Sequence, residues 1–176
     1  MPLNNFKEAR EKVTIPGWTS SDELFLLFQC VETLQDNSLV VELGTAYGLT
    51  AAMMSLAGQQ VITIDNYSEY PDITPDKVVE NLKGFNVKIV EGHNTEVAKT
   101  FEDESIDLLF IDADHKYESV QADIKSWWPK IKKGGKVLFH DYGSWPGVTE
   151  SVNESERDGL LIKQAQMQSC IYTTKI

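Results

Sequence analysis

Apolar positions along the chain alternate between short strand-like runs and stretches with helical spacing. Ser20 and Glu23 have capping-box spacing, and Leu24, Leu27, Phe28, Val31 and Leu34 follow on one face, so the first helix is expected to begin near Ser20. SLVVELG (38–44) reads as the first strand, followed by a turn and a helix from about Leu49 to Ala57; QVITIDN (60–66) is the second strand. TPDKVVENLKGF predicts a helix capped by Thr74, NVKIVEG (86–92) a third strand, and NTEVAKTF a short helix. IDLLFIDAD (106–114) is a nearly continuous apolar run that ends abruptly in acids, as a central strand ends at the carboxyl edge of a sheet, where ligands bind. The next helix carries Val120, Ile124, Trp127 and Ile131, tryptophans of the core, and Gly134-Gly135 is expected to stop it before a fifth strand, KVLFHDY (136–142). GLLIKQAQ and SCIYTTKI are too close together for a crossover helix and predict an antiparallel hairpin.

This alternation predicts an α/β fold, a doubly wound parallel sheet with helices on both faces, in one domain spanning 1–176 with 1–19 as an N-terminal extension. No repeat or low-complexity linker divides the chain. A hydrophobic share of 41% and a charged share of 24% belong to a globular protein, and no apolar run approaches the ~18 residues of a membrane span. The formal charge of −11 argues against nucleic acid as a partner, because such a surface repels phosphates; the one lysine cluster, Lys130 to Lys136, is expected at a helix end. The start of the chain lacks a secretory pattern, and the two cysteines, Cys30 and Cys170, are expected to be buried free thiols, so a cytoplasmic location is expected.

The turn in VVELGTAYGLTAA sets Gly44 and Gly48 where a strand passes into a helix, so the backbone of Gly44, Thr45, Ala46, Tyr47 and Gly48 can approach a ligand closely. Asp65 ends the next strand, beside Asn66, where a carboxylate can accept both hydroxyl protons of a ribose. A dinucleotide fingerprint needs a middle glycine to admit a pyrophosphate, and Ala46 and Tyr47 fill that space, which disfavours NAD or FAD. Glu42 is harder to explain as structure, since a buried carboxylate needs a partner; the amino end of a cofactor or nearby backbone N–H groups could supply one. An ordinary tight turn with a solvated strand-end acid is the alternative.

The stretch FIDADHKYESVQADIKSWWPKIKKGGKVLFHDY resembles the methyltransferase-24 family, with its D-x-D-H-x-Y block, Gly-Gly turn and H-D-Y, and the likeness extends through VVELGTAYG to PGWTSSDEL and forward to PGVTESV, roughly 16–152. The resemblance implies a class I S-adenosylmethionine (SAM)-dependent methyltransferase with a Rossmann-like, seven-stranded, mostly parallel sheet of order 3-2-1-4-5-7-6. It implies that Glu42, Gly44 and Gly48 contact the methionine part of SAM, that Asp65 holds the ribose, and that His93, Asn94 and Asp112 lie along the rest of the cofactor. His93 and Asn94 could equally cap a helix starting at Thr95.

Methyl transfer is an in-line attack, so the protein must align the reactants and, for a hydroxyl, remove a proton. His115, following Asp112 at the end of the fourth strand, matches the histidine base of macrocin-type sugar O-methyltransferases. In those relatives and in catechol-type enzymes acids from the ends of strands four and five hold Mg²⁺, matched here by Asp112 and Asp141. His140 stands where the macrocin type has Glu, and Tyr142 where the catechol type has Asn. With His140 as a third ligand this leaves a weaker Mg²⁺ site, a site for another divalent metal, or none. A hydrogen-bonded network at a sheet edge is the alternative, and Asp114 is expected to cap the helix near Tyr117.

The expected function is methylation of a small hydroxylated acceptor, a sugar or natural-product precursor, with N-methylation open. Apart from the N-terminal segment and YSEYPDITP the chain has few pocket-forming insertions, so a homo-oligomer is expected to complete the site. A non-catalytic SAM-binding module and an NAD-dependent oxidoreductase are the rival classes.

Overall fold

The computed structural model describes residues 2–176. Its strands are β1 (Val40–Leu43), β2 (Val61–Asp65), β3 (Val87–Glu91), β4 (Ile106–Ile111), β5 (Ile131–Phe139), β6 (Leu161–Met167) and β7 (Cys170–Lys175). The helices are α1 (Pro2–Lys12), α2 (Ser21–Glu32), α3 (Leu49–Leu56), α4 (Pro75–Asn81), α5 (Asn94–Val97), α6 (Tyr117–Trp127) and α7 (Pro146–Arg157). One seven-stranded sheet has the order β3-β2-β1-β4-β5-β7-β6. β3, β2, β1, β4 and β5 run parallel, and β7 is antiparallel to both β5 and β6. This is the class I methyltransferase order.

Side chains alternate between the faces of a strand, and that period assigns the two cores. Val40, Leu108, Phe110 and Leu138 face α2 and α3, meeting Leu24, Leu27, Phe28, Met53 and Met54. Val41, Leu43, Leu109, Val137 and Phe139 face the other way, against Val120, Ile124 and Trp127 of α6 and Val148 and Val152 of α7. Each such side chain, fully buried, contributes about 1.5–3 kcal/mol of transfer free energy. β1 is buried at every position, as a central parallel strand must be.

Ser20 caps α2 with both halves of the capping box formed, and Thr74 caps α4. Three features differ from expectation. The N-terminal extension contains α1, which places Ala9 and Val13 in the α2–α3 core and Phe6 against Phe25 and Phe28. Gly134-Gly135 does not stop α6: that helix ends at Trp127 in a 3-10 turn holding Pro129, and the glycine pair lies inside β5. Gly134 there has φ +76, and the register with β4 shifts between Ile106 and Leu108, so the pair forms an irregularity in the strand. The lysines lie along the 3-10 turn and β5, where Lys130 pairs with Asp103 at 2.6 Å and Lys132 with Asp107 at 2.7 Å.

Cys30 and Cys170 are both free and buried. Among the described residues no helix is long and apolar enough to cross a membrane.

Candidate active site

β1, β4 and β5 end side by side, and the loops leaving them form a cavity of about 950 Å³ at the carboxyl edge of the sheet. Backbone contact is closest at Gly44. It has φ +92, and a Cβ there would lie 2.0 Å from the Asp112 carbonyl oxygen, so only glycine lets the loop after β1 touch the loop after β4. Gly48, at φ +93, opens α3 as its N-cap. Gly44, Thr45, Ala46 and Tyr47 line the cavity wall.

Glu42 and Gly48 do not line it. The Glu42 side chain is 0% exposed beneath the loop, and its partners are hydroxyls rather than backbone N–H groups. Thr50 donates to Oε1, and Thr63 donates to Oε2 at 2.5 Å while also meeting the Thr45 hydroxyl at 2.6 Å. Burial pushes the Glu42 carboxyl up to about 8, against the pull of the two threonines and reinforced by Asp112 and Asp65. Glu42 is therefore a strut beneath the loop whose neutral form is favoured by burial.

Asp65 clamps the same loop. Its Oδ2 accepts from the N–H of Thr45 at 2.9 Å and of Ala46 at 3.1 Å, and its Oδ1 from that of Tyr67 at 2.8 Å. Asn66 and His93 meet at 3.1 Å between Nδ2 and Nδ1. The helix after β3 begins at Asn94 with His93 in the N-cap position, but no side chain makes a capping bond. Asn94 donates instead to Asp123 Oδ2 at 3.1 Å; burial raises the Asp123 carboxyl to about 6.

The far side of the cavity is built from ions. Asp112 follows β4, His140 and Asp141 follow β5, and the structure brings all three together with His115. His115 Nε2 lies 2.9 Å from Asp141 Oδ2. His140 Nδ1 lies 3.1 Å from the same oxygen and 3.2 Å from Asp112 Oδ1. Behind it, His140 Nε2 is 3.4 Å from Glu23 Oε2. That approach is an ion-pair contact without hydrogen-bond geometry, since Nε2 has no hydrogen-bond partner among the described residues. The Glu23 carboxylate already accepts from the N–H and hydroxyl of both Ser20 and Ser169.

Burial opposes charge on His140, but the bonds to Asp112 and Asp141 prevail and raise its pKa to about 11. Asp141 responds in the opposite sense: burial raises it, and His115 and His140 drive it far below the usual carboxylate range. His115 is raised by its bond to Asp141, with burial opposing. Asp112 is raised by burial, with His140 pulling it down. Asp114 accepts from the N–H of His115 at 2.7 Å, from that of Lys116 at 3.2 Å and from the Ser119 hydroxyl at 2.7 Å, bracing the turn into α6.

Asp112, His115 and Asp141 each present a donor atom within 4.8 Å of the others, so His115 rather than His140 completes the cluster that geometry favours for a metal. The set does not fit Mg²⁺. That ion prefers oxygen ligands in octahedral array, whereas here the facing oxygens of both acids are already bonded to imidazole nitrogens.

Residues that periodicity did not single out complete the cavity. Trp145 stacks on His115 with centroids 4.8 Å apart and planes at 15°, and it is 51% exposed. Trp18, 63% exposed, packs on Tyr47 and Tyr70 at 5.7 and 5.1 Å. Their signal was present in IPGWT and GSWPG, where a tryptophan beside glycine and proline marks a loop rather than a helix face.

A family model for a methyltransferase domain matches residues 41–142, from β1 through the cluster after β5. The chain belongs to the methyltransferase-24 family. Uncharacterised protein R132 of Acanthamoeba polyphaga mimivirus is 31% identical over 139 residues, covering 70% of this chain and 62% of its own length. Uncharacterised protein y4gI of Sinorhizobium fredii is 29% identical over 116 residues, 58% of this chain and 13% of its own. This methyltransferase-24 chain thus spans less than two thirds of either curated relative. Among solved structures, a Staphylococcus aureus protein with a proposed caffeoyl-CoA O-methyltransferase activity superposes with a TM-score of 0.73 at 17% identity, over 99% of this chain and 90% of that one. Podospora anserina methyltransferase PaMTH1, bound to S-adenosylhomocysteine (SAH), gives 0.70 at 13% identity, over 99% and 86%. At such identities these structures show a shared fold.

Proposed function

We propose that this domain transfers a methyl group from SAM to a hydroxyl of a small acceptor, a sugar or natural-product precursor, with His115 as the general base. The observation that carries the reading is the His115–Asp141 pair, 2.9 Å apart, facing the cavity whose other wall is the Gly44 loop. When bound, SAM supplies an electrophilic methyl on a sulfonium. Gly44, Thr45, Ala46 and Tyr47 would seat its methionine end, Asp65 and Asn66 its ribose, and His93, Asn94 and Asp112 the remainder.

Asp141 accepts from His115 Nε2, which fixes the tautomer and leaves the Nδ1 lone pair to take the acceptor proton as the oxygen attacks the methyl. The proton would reside on His115 until solvent removes it. The Trp145 ring stacked on His115 limits imidazole rotation and offers a flat surface to the acceptor. A second copy of the chain is expected to cover the exposed rim at Trp18 and Trp145.

A thermal-shift titration tests the cofactor. A native-state ligand at 100 times its dissociation constant adds ~2.7 kcal/mol, so SAM and SAH should raise the melting temperature and NAD(H) should not. A shift with NAD(H) alone would overturn the reading in favour of an oxidoreductase.

A further inference from the structure

The rim of the cavity carries aromatic rings that the proposed chemistry does not use. Trp18 comes from the segment between α1 and α2, Tyr47 from the loop after β1 and Tyr70 from the loop after β2. The indole touches both phenol rings, with centroids 5.7 and 5.1 Å away. These rings are held in place. The Tyr47 hydroxyl donates to Asp72 Oδ2 at 2.7 Å, and a Cβ at Gly17 would lie 2.6 Å from Leu49, so the chain beside Trp18 is seated closely on α3. Trp18 is nevertheless 63% exposed and Tyr70 39% exposed. Apolar faces held open to water at a cavity mouth make a preformed platform for a ligand. The platform is continuous with the reacting end of the cavity: Tyr70 feels the charges of Glu69, Asp112 and Asp141, and His115, stacked on Trp145, feels that of Glu69.

Charge decides what the platform takes. With Asp112, Asp141 and the histidines beside them left aside, Glu23, Asp65, Glu69, Asp114 and Asp123 line the same cavity, against one lysine, Lys116, and no arginine among the described residues. Lys116 is largely exposed and lies 3.9 Å from Asp114. A phosphate or a CoA ester would meet carboxylates and that single lysine. An ammonium group instead meets ring faces, which are the negative part of the aromatic quadrupole, with acids beside them. We propose that the Trp18–Tyr47–Tyr70 plate, with Glu69 beside it, is an ammonium subsite, and that the methyl acceptor is a ring compound bearing a protonated amine and no phosphate, such as an aminated sugar. The amine rests on the indole face, and Trp145 takes the other end of the molecule, so that one of its hydroxyls faces His115. The second copy expected at the outer rim would close over this acceptor rather than replace it.

The inference rests on the methyltransferase reading for what happens to the acceptor, but the subsite can be tested without turnover. Phenethylammonium, phenethyl alcohol and phenylacetate are similar in shape and differ in charge. Titrated into the protein with SAH present, the ammonium should shift the Trp18 indole N–H signal in ¹⁵N–¹H spectra with a dissociation constant about tenfold below that of the alcohol, while phenylacetate should leave that signal in place. Trp18→Ala should abolish the preference, read by saturation transfer to the probe, and Trp18→Phe should restore most of it. Glu69→Gln should weaken the ammonium and leave the alcohol unchanged. All three substitutions are at exposed positions, where the fold should tolerate them. Equal affinity for ammonium and alcohol overturns the proposal, as does a preference for phenylacetate, a preference that survives Trp18→Ala, or an ammonium that fails to shift the Trp18 indole. Failure of SAH to bind would sink the methyltransferase reading, while the charge order of the probes would still decide the subsite.

Discussion

Two buried glutamates, Glu42 and Glu23, are shifted in opposite directions from the ordinary carboxyl pKa. Glu42, under the Gly44 loop, is 0% exposed and Glu23, behind His140, is 3% exposed, but Glu42 lies deeper, so burial acts more strongly on it. Burial raises both. At Glu42 two threonine hydroxyls fail to offset it, and the nearby Asp112 and Asp65 add repulsion, so the carboxyl is pushed up to about 8. At Glu23 bonds from Ser169 and Ser20 and the charge of His140 outweigh burial and hold the carboxyl at about 2. Depth of burial, donor number and neighbouring charges together set the pKa of a buried acid. Burial thereby favours the neutral form of Glu42 beneath the Gly44 loop, beside the carboxylate of Asp65, while Glu23 favours its ionised form beside His140.

The largest expected effect lies on the acceptor wall. His115→Ala should reduce turnover by ~10²- to 10⁴-fold, the usual size of a lost general base, while SAM affinity stays nearly unchanged. Single-turnover kinetics and calorimetry separate the two quantities. Wild-type turnover in the variant at saturating acceptor would remove the base assignment and leave alignment as the main contribution of this wall.

Next in size is the cofactor floor. Asp65→Ala should weaken SAM binding by ~1.5–3 kcal/mol, as for a lost hydrogen bond to a charged group. The variant also frees the N–H groups of Thr45, Ala46 and Tyr67, so loop ordering contributes to the loss. The maximal rate at saturating SAM should change far less than affinity does, which is the reverse of the His115 pattern. An unchanged dissociation constant would refute this placement of the ribose.

The two walls also differed in how far the sequence exposed them. The wall at the Gly44 loop is local: Glu42 lies in β1, Gly44 and Gly48 in the turn after it, and Asp65 ends the neighbouring strand, so spacing alone brings them together. The acceptor wall draws Glu23 from α2, His115 from the loop after β4, His140 and Asp141 from the end of β5 and Ser169 from the β6–β7 turn. Glu23 was legible as a capping box, and it does cap α2, but nothing in a one-dimensional pattern shows that the same carboxylate also faces His140. Likewise α1 escaped notice because PLNNFKEAREK is largely polar and its few apolar residues gain meaning only against α2 and α3. Gly134-Gly135 suggested a helix stop, yet Pro129 had already disrupted α6, and the glycines instead allow β5 to shift register against β4.

The smallest effect tests the glutamate comparison itself. Glu42 has a folded-state pKa of about 8 against an ordinary value of 4.5, so the folded state holds its proton more tightly than the unfolded chain does. Its contribution to stability is complete below about pH 4.5 and is lost as pH climbs through about 8, with a slope of at most ~1.4 kcal/mol per pH unit. Glu42→Gln stays neutral throughout and should escape that loss, so its stability relative to wild type should rise across this window while differing little in mild acid. Glu23 works in the other direction. Its folded-state pKa of about 2 lies below the ordinary 4.5, so its contribution is present above about pH 4.5 and lost as pH falls through about 2. Glu23→Gln should therefore be less stable than wild type at neutral pH, with the gap closing only in acid. Urea denaturation of the three proteins from pH 3 to pH 9 reads both curves at once. Parallel pH profiles for the two variants would show that the two glutamates are electrostatically alike, and the contrast between them would fall.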